Sequence, residues 1–167
     1  MPELTIYGFY KLKNEFFDEM DDPYLKNNKY EKRPFFYCIR EQNSDNGIYW
    51  LIPMSSRTEK YKRIITEKQS KNRPTDGLYI CRLPNDIENA FLIQDIFPVT
   101  EEYILGSYTI GENPMILPGE KDRRAVEHKA KKVLILIKKG IKLTPTSPDV
   151  MKIYNKLINI RSHTDKQ

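Results

Sequence analysis

Residues 48–63 read IYWLIPMSSRTEKYKR: an apolar strand from Ile48 to Met54 passes through two adjacent hydroxyls straight into a basic helix start. The join fixes a helix N-terminus at the end of a buried strand. Ser56 and Glu59 stand at the capping-box spacing, in which hydroxyl and carboxylate each satisfy a free N–H of the first turn. Unsatisfied N–H groups and the partial positive charge of a helix start attract anions. Arg57 and Lys60 add full charges there, and neither has an acid three or four residues away to pair with. Lys62, Arg63 and Lys71 do have such neighbours, in Glu59 and Glu67. The alternative is that Ser56 only caps a helix whose cations form a solvated face.

A chain of 167 residues buries roughly two thirds of its unfolded surface, and one domain over residues 1–167 is expected. Cys38 and Cys81 are widely spaced and outside any CxxC motif, which speaks against a zinc or dithiol site and fits a reducing cytoplasm. The first residues lack a basic region followed by an apolar stretch, and no apolar run reaches the roughly eighteen residues of a membrane span. A soluble, cytoplasmic protein without membrane association is the expectation.

The net charge of +5 is unevenly distributed. From Arg57 to Arg73 seven cations meet two acids, a balance of +5, and from Gly119 to Lys142 nine meet three, a balance of +6. Between them, Pro74 to Pro118 carries one Arg and seven acids, a balance of −6. Segregation of this kind fits a polyanion-binding face with a neutralising back, and surface solubility is its rival explanation.

Thr5 to Phe9 has strand composition, and Lys11 to Met20 places Leu12 and Phe16 on one helical face before Asp21, Asp22 and Pro23 break it. Pro34 to Glu41 and Ile48 to Met54 read as a hairpin around Ser44, Asp45, Asn46 and Gly47. The helix after Ser56 turns Tyr61, Ile64 and Ile65 inward and ends near Ser70. Gly77 to Leu83, Ala90 to Val99 and Tyr103 to Ile110 supply further strands. A long basic helix covers Gly119 to Lys139 with Gly140 as terminator, and a last helix after Ser147 and Pro148 frays over residues 161–167. Strands first and helices after, without a repeated βαβ unit, predict an α+β fold: a small, strongly curved antiparallel sheet or barrel with helices outside.

The element Pro53, Met54, Ser55, Ser56 at a strand end, followed by a basic helix, resembles that of the type III toxin–antitoxin endoribonucleases, the ToxN, AbiQ and CptN-like toxins. The resemblance continues through Tyr10 before a short helix, Lys32, Arg33 and Pro34 at the entry to the hairpin, the aromatic strand pair and the long basic helix. The phrase from Tyr49 to Lys62 is closest to the CptN-like branch. It implies a compact SH3-like barrel of the MazF and Kid type elaborated by helices. It also implies an abortive-infection, phage-defence ribonuclease that cleaves mRNA and processes, and is inhibited by, a small pseudoknotted antitoxin RNA. Toxin and RNA would assemble into closed, ring-like complexes, three of each being one composition. By position, Ser55 and Ser56 become the paired hydroxyls, Tyr10 the early aromatic, and Lys32 or Arg33 the cation before the first hairpin strand. Family members often carry a lysine very soon after the hydroxyls; here Arg57 and Thr58 stand closest and Lys60 a turn on, so either Arg57 or Lys60 takes that part.

Metal-free RNA cleavage needs a deprotonated 2′-OH, a stabilised phosphorane and a protonated leaving oxygen, and cations placed where charge develops do most of that work. No run of Asp, Glu and His has metal-ligand spacing; Asp18, Glu19, Asp21 and Asp22 read as a solvated loop, so neither metal nor cofactor is expected. A transesterification giving a 2′,3′-cyclic phosphate and a 5′-OH is preferred. His163 lies in the expected tail and His128 sits among Lys129, Lys131 and Lys132, which disfavours a two-histidine mechanism. The remaining assignment has Lys60 and Arg57 stabilising the phosphorane, Ser55 and Ser56 orienting the phosphate and Tyr10 handling a proton. Lys32, Arg33, Lys62, Arg63, Lys68, Lys71 and Arg73, with Arg123, Arg124, Lys129, Lys131 and Lys132, are the candidate RNA-backbone contacts. Tyr30, Phe35, Phe36, Tyr49, Trp50 and Tyr61 are either stacking platforms for single-stranded bases or core. The competing reading is a non-catalytic RNA-binding regulatory module.

Overall fold

The strands FFYCI and YWLIPMS are apolar up to the final Ser55 rather than alternating, and both are buried along almost their whole length, as central strands covered on two faces must be. The computed structural model describes residues 4–30, 32–39 and 47–165. Among these, the elements run β1 (Phe9–Leu12), α1 (Asn14–Met20), β2 (Phe35–Ile39), β3 (Tyr49–Ser55), α2 (Thr58–Ser70), β4 (Tyr79–Arg82) and β5 (Glu88–Phe91). A 3-10 turn (Ile93–Asp95), β6 (Phe97–Val99), a second 3-10 turn (Glu101–Tyr103) and β7 (Ile104–Ser107) follow. The small hairpin β8 (Thr109–Ile110) and β9 (Asn113–Pro114) precedes α3 (Glu120–Lys138) and α4 (Val150–Asp165).

The expected α+β architecture with an antiparallel sheet is present. Its strand order is β4-β5-β3-β2-β1-β7, every pairing is antiparallel, and β6 lies off this path against β3. Among the described residues β4 and β7 remain unpaired ends, so the sheet curves without closing into a barrel. The curvature centres on β3: Tyr49 to Leu51 pair with Val99 to Phe97, whereas Met54 and Ser55 pair with Phe91 and Ala90. The single strand expected over Ala90 to Val99 is therefore two short strands separated by one 3-10 turn. The hairpin turn expected at Ser44 to Asn46 lies outside the described residues.

Two local expectations shift for identifiable reasons. Residues 5–8 form a turn in which the Gly8 N–H bonds to the Thr5 carbonyl and Tyr7 takes a positive φ, so the first strand begins at Phe9. Lys11 and Leu12 then pair with β7, which delays α1 to Asn14. At the other end α4 continues to Asp165 where fraying was expected from residue 161; its first turns are held by the buried Ile153 and Leu157 and by Tyr154 stacked on Trp50. The α3 terminator is as expected: Gly140 takes φ +82° and Ile141 bonds back to Leu136.

An aromatic cluster fills the space beneath the sheet. Phe36 meets Phe9 at 4.9 Å and Phe91 at 5.1 Å between ring centroids, and Phe16, Phe35 and Phe97 form a second contiguous group. A smaller core of Tyr61, Leu78, Ala90 and Leu92 glues α2 to β5, so Tyr61, Ile64 and Ile65 face inward as their helical spacing demands. Phe36 is fully buried between the two flanking strands. Phe36→Ala is expected to cost about 3–5 kcal/mol, read as a lower urea midpoint with an unchanged slope.

Candidate functional site: a cationic cleft at the β3–α2 junction

β3 runs one residue further than its apolar composition suggests, ending at Ser55, and this decides which hydroxyl faces inward. Ser55 is buried, pairs in the sheet with Ala90, and accepts the Arg57 N–H at 3.2 Å, a hydroxyl-closed turn that leads into α2. Its hydroxyl also shares a hydrogen bond with that of Tyr61. Ser56 is exposed and makes no capping bond; the cap position belongs to Arg57, and the buried Thr58 opens the helix with its side chain bonded to Glu88. The expected capping box between Ser56 and Glu59 is absent because the helix begins one residue later than that pattern requires, at Thr58 with Arg57 in the cap position.

Ser55 lies in the wall of an open cleft of about 570 Å3, bounded also by Lys26, Asn27, Lys29, Tyr30, Lys32, Arg33, Arg57, Lys60, Tyr61 and Leu92. Six of these side chains are cationic. Among the described residues none of the six makes an ion pair within 4.0 Å. Lys60 rests over the Tyr61 ring at 5.3 Å. Arg33 is only 8% exposed; it donates to the Met54 carbonyl at 2.6 Å, while its Nε is buried with no hydrogen-bond partner. A buried guanidinium with a spare donor, in the wall of a cleft of like charge, is a site built for an anion to complete.

The loop that carries four of the cations is anchored at Asn28. This buried amide donates to the Leu12 carbonyl at 3.0 Å and the Asn14 side-chain oxygen at 2.6 Å, tying the loop to the β1–α1 junction. Lys29 and Tyr30 next to it both take left-handed φ, +48° and +58°, a conformation that costs non-glycine residues about 1–3 kcal/mol each. Tyr30 is 93% exposed at the rim. Burial, then Arg33 and Arg57, lower the Lys29 ammonium from its ordinary pKa. Burial, then the Asp95 charge, raise the Tyr61 hydroxyl. Asp95 sits in the first 3-10 turn, 3% exposed; burial pushes its carboxyl up to about 6 although Lys26, Arg33 and Lys60 pull it down.

Of the residues singled out from the sequence, Ser55, Arg57, Lys60, Lys32 and Arg33 come together here. Ser56 does not line the cleft, and neither does Tyr10. Tyr10 is buried in β1 with its hydroxyl against the Thr5 backbone, filling space beneath the turn at Gly8. Lys62 is held by Glu88 at 2.7 Å and by Glu59 at 3.5 Å; Lys71 pairs with Glu67, while Arg63, Lys68 and Arg73 extend along and beyond α2. The α3 cations are locally engaged: Arg123 stacks on Tyr7 and donates to Leu117, Arg124 pairs with Glu120, Lys129 donates to Thr75, Lys131 pairs with Glu127 and Lys132 with Asp76. Phe35, Phe36 and Trp50 are fully buried core. Lys26, Lys29 and Asp95 were not foreseen as site residues. The run KNNKYEKR at 26–33, with four cations against one acid directly before an apolar strand, is the signal for the two lysines; Asp95 has none, because its place depends on the turn that splits β5 from β6.

Among the described residues no three His, Cys, Asp or Glu side chains converge as a ligand set for a metal ion, and no helix is long and apolar enough to cross a membrane. No protein-family model and no curated protein matches this chain. Among solved structures, AbiQ, described as a lactococcal anti-phage endoribonuclease belonging to the type III toxin–antitoxin system, superposes with a TM-score of 0.65 over 98% of this chain and 100% of its own. The two share a fold. At 13% identity the likeness extends to architecture, and what the cleft does is argued from its own residues.

Asn28→Ala is expected to destabilise the protein by about 1–3 kcal/mol and to bring forward proteolytic cleavage within residues 24–33, monitored by limited trypsin digestion and mass spectrometry.

Proposed function

We propose that the protein is a metal-independent endoribonuclease toxin of the type III class. It cuts single-stranded RNA to 2′,3′-cyclic phosphate and 5′-OH ends and is restrained by a small structured RNA that it also processes. The observation that carries this reading is the set of six cations around Ser55 at a strand–helix junction, none of them in an ion pair among the described residues. The shared fold with an anti-phage endoribonuclease supports it. On this reading the curved sheet is an opened relative of the SH3-like barrel, and the chain belongs with the CptN-like branch.

A scissile phosphodiester in the cleft meets the Arg57 and Lys60 charges on one side and Arg33, with its spare Nε donor, on another. Charge that grows on the phosphorane is stabilised by cations already in place, so little reorganisation accompanies the reaction. Ser55, fixed by the Arg57 N–H and by Tyr61, orients the phosphate. Lys29, whose ammonium is lowered from its ordinary pKa by burial first, takes the proton-handling part expected of Tyr10, and Tyr30 offers an exposed ring to an unstacked base. The flanking stripe of Arg63, Lys68, Lys71 and Arg73, and the α3 cations beyond it, follow the backbone of the antitoxin RNA in a closed toxin–RNA assembly within the cytoplasm.

Purified protein incubated with a long unstructured RNA in EDTA is expected to yield defined fragments carrying cyclic-phosphate ends. Lys60→Ala is expected to slow cleavage by about 10²–10³-fold, and Ser55→Ala by about tenfold or more, while Lys139→Ala leaves the rate unchanged. Binding that weakens steeply with salt, with no fragments at any protein concentration, would identify a non-catalytic RNA-binding module instead.

A further inference from the structure

One charged group near the cleft is of the wrong sign for a polyanion site. Asp95 is 3% exposed and its N–H bonds at 2.9 Å to the carbonyl of Leu92, which lines the cleft; the cations that act on it come from two sides, Lys26 and Arg33 from the loop before β2 and Lys60 from α2. The Tyr61 hydroxyl on α2 also feels its charge. α3, which packs on the same 3-10 turn, contributes no charged group to this set. Among the described residues no ion pair within 4.0 Å includes Asp95, so it acts on these cations through the field and not by gripping any one of them.

We propose that Asp95 is an internal counter-charge of the cleft, a positioning residue whose carboxylate competes with an RNA phosphodiester for the same cations and sets how tightly the RNA is held. The proposal rests on the reading of the cleft as an RNA-phosphate site. In the free protein the carboxylate offsets part of the mutual repulsion of Lys26, Arg33 and Lys60. When a phosphodiester enters, two anions share those cations, and the carboxylate is the one that takes up a proton. Because burial lifts the Asp95 carboxyl to about 6, the exchange falls within an accessible pH range. The sign is fixed by linkage: a bound anion raises the proton affinity of Asp95, so RNA affinity rises as pH falls through about 6. A phosphodiester does not titrate in that range and adds no pH dependence of its own.

The test uses the full chain and a 2′-O-methyl oligoribonucleotide without terminal phosphates, which binds but cannot be cut. The wild type is expected to bind it on the order of three- to tenfold more tightly at pH 5 than at pH 7.5. Asp95→Asn is expected to bind at pH 7.5 as the wild type does at pH 5, with that step removed. The difference between the two proteins cancels the contribution of every group other than Asp95. Asp95→Asn is also expected to unfold at a temperature no lower than the wild type at pH 7.5, since a carboxylate that is costly to bury is replaced by a neutral amide. Should the variant not fold, the Asp95 carboxyl carbon of the wild type, followed by NMR, is expected to show its midpoint moving up when the oligonucleotide is added. Equal pH profiles for the two proteins, weaker binding by Asp95→Asn, or an unmoved midpoint would overturn the proposal. Cleavage of long RNA with any of those results leaves the nuclease reading standing and removes this one alone. The predicted profile without cleavage does the reverse, and no binding at all removes both.

Discussion

The structure turns on the change of partner along β3 at Pro53. Antiparallel ladders demand a donor at every second residue, and proline has none, so a proline in a central strand normally leaves a gap. Here the Pro53 carbonyl accepts the Leu92 N–H at 2.9 Å on the side facing β5 and β6, which is also the side where its N–H is missing. On that side the ladder is already broken by the 3-10 turn at Ile93–Asp95, which needs no donor from Pro53. The other side is intact: Met54 donates to the Pro34 carbonyl, and β2 stays paired. One missing hydrogen thus coincides with the point where the strand exchanges β6 for β5 and the sheet bends.

That bend gathers the cleft. It turns the last residues of β3 toward the loop before β2, so Ser55 and the α2 N-terminus face Lys26 to Arg33 across a short gap. It also requires a residue at the 3-10 turn to sit behind them, and that residue is Asp95. Arg33 joins the two sides, its guanidinium bonded to the Met54 carbonyl one residue before Ser55. The site is therefore held by backbone geometry on one wall and by the Asn28 anchor on the other, and among the described residues no carboxylate stands within 4.0 Å of its cations.

The parts of this arrangement that were legible in the sequence are those governed by short-range rules. The helix from Thr58 to Ser70, the α3 terminator at Gly140, the inward face of Tyr61, Ile64 and Ile65, and the two central strands follow from periodicity and from residue-specific backbone preferences. The strand end was misplaced by one residue because Ser55 is polar, although its pairing with Ala90 and its turn-closing bond keep it in the sheet. Of the two hydroxyls expected at the site, that one residue leaves Ser55 in the cleft wall and Ser56 outside it. Tyr10 is named by the family resemblance, as an aromatic before a short helix; β1 buries it on pairing with β2 and β7, contacts that no local pattern specifies. Asp95 was invisible for the same reason: its neighbours lie more than thirty residues away in the chain, at Lys26, Arg33 and Lys60.

Charge runs read from sequence do not distinguish a solvated helix face from a polyanion site, and the structure separates them by the partners each cation has. On α3, Arg124, Lys131 and Lys132 each stand within 4.0 Å of a carboxylate, and Arg123 and Lys129 are spent on a ring and on backbone or hydroxyl oxygens. Exposed pairs of this kind contribute little to stability, but they lower the field that a distant polyanion feels. The cleft shows the opposite pattern among the described residues: like charges crowd together, a buried guanidinium keeps a donor idle, and the acid that acts on Lys26, Arg33 and Lys60 is the buried Asp95. Crowding of like charge works against folding unless something else offsets it. On the proposed reading the Asp95 carboxylate answers part of that field in the empty protein, at its own cost of burial, and a phosphodiester would answer it in the complex.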